Sequence, residues 1–81
     1  MKLNEEFIEE CNKRLAEKEK IYGGKGNPKN YTNMTDYELL YLILTDATLL
    51  KSCLFVGTKD EIKELCVDIA NRCSMIWEID N

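Results

Sequence analysis

Two tetrads constrain this chain more than anything else in it. Thr35-Asp36-Tyr37-Glu38 and Thr58-Lys59-Asp60-Glu61 each set a threonine three residues ahead of a glutamate, just before an apolar run. At that spacing the hydroxyl accepts the glutamate's backbone N–H while the carboxylate accepts the threonine's, which locks the first turn of a helix into one register. Met34 and Leu39 flank the first tetrad as a hydrophobic staple. The short apolar connection Leu54-Phe55-Val56-Gly57 separates the two helices, so they must form an antiparallel hairpin.

A further helix precedes them. Asn4 is a good N-cap, with Leu3 and Ile8 as its staple, and Glu5, Glu6, Glu9 and Glu10 are followed by Lys13, Arg14, Lys18 and Lys20, the order the helix dipole favours. Leu3, Phe7, Cys11 and Leu15, with Tyr22 at the end, form its core stripe, and Gly23-Gly24 stops it. On the closing helix Ile62, Leu65, Cys66, Ile69, Cys73 and Ile76 mark the core face. No segment alternates with a period of two. The expectation is therefore an all-α, three-helix unit (4–22, 35–53, 58–78) forming a single domain over 1–81, since 81 residues can bury only one small core.

The apolar residues of the second helix, Leu39, Leu40, Leu42, Ile43, Leu44, Ala47, Leu49 and Leu50, spread over roughly 220° at about 100° per residue. Two neighbouring helices would hardly cover such an arc. The excess predicts a homo-oligomer, in which these units assemble into a larger helical bundle.

Charge and composition exclude several classes of function. Eleven basic residues against fifteen acidic ones give a net charge of −4 with no basic patch, which disfavours duplex nucleic acid as a partner. Histidine is absent, so chemistry would rest on carboxylates, lysines or thiols. The first ten residues turn acidic at once and carry no apolar stretch, which argues against a secretory signal. The longest apolar run, Leu39 to Leu44, is far short of a bilayer's thickness. A cytoplasmic protein without a membrane segment is expected. There, Cys11, Cys53, Cys66 and Cys73, at separations of 42, 13 and 7, match no zinc spacing and read as buried free thiols.

Three features could carry chemistry. Asp46 falls inside the apolar arc of the second helix, among Leu39, Leu42, Leu50 and Cys53, where a carboxylate needs a partner: a ligand or metal, or alternatively a lysine or Arg72 at the rim. Glu64, Asp68 and Asn71 recur along one flank of the third helix, with Glu61 a turn earlier, a set able to hold Mg²⁺ or simply to solvate that face. The Gly23–Tyr31 connection mixes glycines with Lys25 and Lys29. It suits either a phosphate or a plain surface loop, and Tyr22, Tyr31, Tyr37 and Tyr41 lie close by in sequence as candidates to stack on a base.

The order Lys20-Ile21-Tyr22-Gly23, then Thr35-Asp36 opening a helix, then Asp68-Ile69-Ala70-Asn71 in a closing helix resembles the nucleotide-modification-associated domain 1 proteins. These are themselves similar to the all-α MazG-like nucleoside triphosphate pyrophosphohydrolases. The resemblance implies an oligomeric helical domain that binds a nucleotide or related phosphorylated molecule, with Mg²⁺ on helix-borne carboxylates and water attacking a phosphoanhydride. By position Asp68 and Asn71 match its closing helix, with Glu64 and Glu61 the nearest candidates for its glutamates; joined to the residue readings above, this puts Asp68 and Glu64 in catalysis and Asp46, Glu61, Glu64 and Asp68 on the metal. Asn71, Lys25, Lys29 and Tyr22 would contact the ligand. The paired glutamates of active pyrophosphohydrolases are absent from Thr35-Asp36-Tyr37-Glu38, and Asp46-Ala47-Thr48-Leu49-Leu50 stands where basic residues belong. The alternative is a non-catalytic, phage-type inhibitor that sequesters a nucleotide signal or binds a protein partner.

Overall fold

A computed structural model describes residues 1–23 and 33–81, apart from the Tyr22 side chain. Among the described residues it contains three α-helices and no strand: α1 (Glu5–Tyr22), α2 (Asp36–Val56) and α3 (Lys59–Asp80). The expected starts are where the cap chemistry places them. Asn4 Oδ1 accepts the Phe7 N–H at 3.0 Å, Thr35 Oγ1 accepts that of Glu38 at 3.1 Å without the expected return bond from the Glu38 carboxylate, and at Thr58 the reciprocal box with Glu61 closes.

The ends run further than expected. Leu54-Phe55-Val56, read from the sequence as a connection, completes α2, and α3 reaches Asp80 rather than 78. The turn between them shrinks to Gly57 and Thr58. Gly57 donates its N–H to the Cys53 carbonyl at 2.8 Å, closing the last turn of α2. The chain passes so near Cys53 there that a Cβ on Gly57 would lie 2.7 Å from the Cys53 Cβ and 2.9 Å from its carbonyl oxygen. Glycine is required at this position by close approach.

α3 is the central element, packed along α2 on one side and carrying α1 on another. The deepest residues follow from this. Leu39 of α2 and Val67 and Asn71 of α3 are buried, while Phe7, Cys11 and Leu15 of α1 are half-buried. The sequence stripe of α3 holds at Ile62, Leu65, Cys66, Ile69 and Ile76 and fails at Cys73, which is exposed. A helix flanked on two sides buries a second stripe, Val67 with Asn71 one turn on, which a one-face reading does not anticipate. All four cysteines are free.

α2 is apolar well beyond what α3 covers. Its inward side holds Leu39, Leu42, Ile43, Asp46, Leu50 and Cys53, whereas Tyr37, Leu40, Tyr41, Leu44, Leu49, Leu54, Phe55 and Val56 are exposed. Among the described residues α2 is also the one helix long and apolar enough to cross a membrane, and little of it is buried. Counting uninterrupted runs misses this, because the average over the helix outweighs Asp46 and Lys51.

Candidate functional site

The four carboxylates proposed as a metal cage are spread over distinct structural tasks. Asp46 lies on the α3-facing side of α2 and pairs with Arg72, both side chains being less than a fifth exposed. Of the two readings open for Asp46, the rim pair with Arg72 is the one found. Desolvation forces this pairing: an ionised aspartate between Leu39, Leu42 and Leu50 needs a cation, and α3 supplies one opposite it.

Asp68 faces α1. Its Oδ1 is 3.6 Å from an Arg14 guanidinium nitrogen and 3.5 Å from Lys18 Nζ. Glu64, one turn earlier and largely exposed, lies 3.7 Å from the other arm of Arg14. Asn71 does not open to solvent as a ligand-orienting amide would. It is 6% exposed and donates from Nδ2 to the Cys11 carbonyl at 3.0 Å, bonding the middle of α1 to α3.

Glu61 belongs to the hairpin turn. Its Oε1 accepts from the Thr58 N–H at 3.3 Å and the Thr58 hydroxyl at 3.0 Å, and its Oε2 accepts from the Cys53 thiol at 3.8 Å. Local desolvation, then the Glu61 charge and this hydrogen bond, push the Cys53 thiol above its ordinary value. Burial, with Glu10 nearby, does the same to Cys11.

Thus Asp46 of α2 meets a cation of α3, Asp68 of α3 meets two cations of α1, and Glu61 closes a cap. Among the described residues no three metal-ligating side chains gather. Arg14, Lys18 and Arg72 are the cations that the described structure places beside Asp68 and Asp46. Lys25, Lys29 and the Tyr22 side chain lie outside the described residues.

What the surface does offer is on α2. Tyr37 and Tyr41, one turn apart and 80% and 70% exposed, line an open groove with Met34, Glu38 and Leu42. Beyond it Leu40 and Leu44 continue the apolar side, at 42% and 59% exposure. The sequence signal for this surface was the width of the apolar arc, not any motif. No protein-family model, curated protein or solved structure matches the chain.

Proposed function

We propose that the chain is a non-catalytic helical docking module, active in the cytosol, that binds a protein partner through the outward face of α2. The observation that carries this reading is the exposure of Tyr37, Leu40, Tyr41 and Leu44 on a helix whose opposite side already supplies the core. Apolar area left in water is costly at about 25 cal/mol per Å², and a contiguous patch of this kind marks a contact surface. The acidic residues meanwhile contribute to the fold through Arg14, Lys18, Arg72 and Thr58. A bilayer is a poor alternative occupant. Inserting α2 would strip away α3 or carry its charged side chains into hydrocarbon, and α2 offers anionic lipid few cations.

The test is a photo-crosslinking residue at position 44, compared with one at the exposed Lys63 of α3, in cells making the chain. Position 44 should give a discrete protein adduct and position 63 none. Adducts at neither position would end the docking reading.

A second reading draws on the Tyr37/Tyr41 groove, whose rings offer a face for a base to stack on. Calorimetry with a nucleoside triphosphate panel, with and without Mg²⁺, checks it. Heat lost in a Tyr37→Ala, Tyr41→Ala variant supports binding there, and turnover abolished by Asp68→Ala would restore the hydrolase reading.

A further inference from the structure

We infer that the partner of α2 is a second copy of this chain, packed antiparallel about a two-fold axis through Leu44. The inference rests on the docking reading above and specifies its occupant. The first argument is exposure. Tyr37, Leu40, Tyr41 and Leu44, at 80%, 42%, 70% and 59% exposure, lie along one face of α2, and a stable interface takes roughly 800 Å² from each partner.

The second argument is the order of residues on the face. Opposite Leu39 and Asp46, α2 presents Tyr37, Leu40, Tyr41, Leu44, Ala47, Thr48 and Lys51, all exposed. These positions are symmetric about 44. An antiparallel copy centred there sets Leu40 against Thr48 and Tyr41 against Ala47, so that in these pairs a bulky residue meets a smaller one, and Tyr37 against Lys51. An isologous contact needs this self-complementarity. The same register lays the lone cation of the stripe, Lys51, over the ring of Tyr37 and near the acidic first turn at Asp36, twice per dimer. A parallel pairing would instead stack Lys51 on Lys51 and leave the two helix dipoles aligned.

The third argument concerns the polar residue within the seam. The Thr48 hydroxyl donates to the Leu44 carbonyl at 3.0 Å, so its hydrogen-bonding need is met within the helix and its methyl can enter an apolar contact.

Light scattering and sedimentation of the purified chain, from micromolar to near-millimolar, should give a mass rising to twice that of the monomer. Leu44→Lys should remain monomeric with unchanged far-UV circular dichroism, since Leu44 lies outside the fold's own core. Orientation is read by disulfide trapping, with the wild-type chain as background for its native cysteines. Leu44→Cys should form a covalent dimer rapidly. Thr48→Cys should not, because its two copies would lie about 12 Å apart along the axis. Equal trapping at both positions overturns the antiparallel register. A wild-type chain monomeric at every concentration overturns the inference entirely. If position 44 still crosslinks a different protein in cells, the docking reading survives without self-association. If the monomer floats with phosphatidylcholine vesicles, the face belongs to lipid.

Discussion

Asp46 and Arg72 show how a charge in an apolar stripe is met by a cation on the facing helix. Removing one partner strands the other in a half-dry contact, so Asp46→Ala should lower stability by about 2–3 kcal/mol in urea unfolding. Replacing both, as Asp46→Leu with Arg72→Met, should recover most of that loss, because an apolar pair of similar volume carries no desolvation cost. Were Asp46 a ligand-binding group instead, the double variant would fold well and lose binding. Asn71 obeys related logic: Asn71→Asp should cost more than Asn71→Ala, since it turns an acceptor toward the Cys11 carbonyl in place of a donor. Glu61 suppresses ionisation of the Cys53 thiol, so Glu61→Gln, which can still complete the cap, should speed alkylation of Cys53 at mildly alkaline pH. A thiol pKa raised in the folded state favours the protonated form. The stability it contributes is therefore present below the unfolded thiol's pKa and is lost as pH rises through and beyond the ordinary value of 9.0.

Within the elements, the α2–α3 turn is the tightest constraint. Gly57→Ala puts a methyl group against the backbone of Cys53 and should cost about 1–3 kcal/mol, measured by thermal unfolding. Thr58→Ala removes the α3 cap and should cost about 1 kcal/mol. Both effects are legible in the sequence as glycine followed by a capping box. The length of α2 is less so: Leu54-Phe55-Val56 reads equally as helix or connection until Gly57 is seen to close back on Cys53. Similarly, Thr45, Thr48 and Ser52 look like breaks in an apolar helix. Their hydroxyls bond to the carbonyls of Tyr41, Leu44 and Thr48 one turn back and leave the helix uninterrupted.

Across the whole molecule, α1 is the most lightly attached helix. Besides the half-buried Phe7, Cys11 and Leu15, it is held by the Asn71 bond and the Arg14 and Lys18 pairs with Asp68 and Glu64. Asp68→Asn should therefore raise hydrogen exchange across α1 while leaving the α2–α3 hairpin protected, at a cost of about 1 kcal/mol. Added salt should act in the same direction.

Helix number, helix starts, the hairpin and the excess apolar surface of α2 were determined by the sequence alone, because caps and periodicity are local interactions that each helix satisfies by itself. The partners of the acidic residues were decided only by tertiary structure. A carboxylate stripe at helical spacing is compatible with a metal, with solvent or with cations on a neighbour. Which one applies depends on Arg14 and Lys18 arriving from α1, fifty residues or so away in sequence, and on Arg72 lying across from Asp46. Long-range pairing leaves no mark in local spacing, so spacing alone does not show which cations these carboxylates meet.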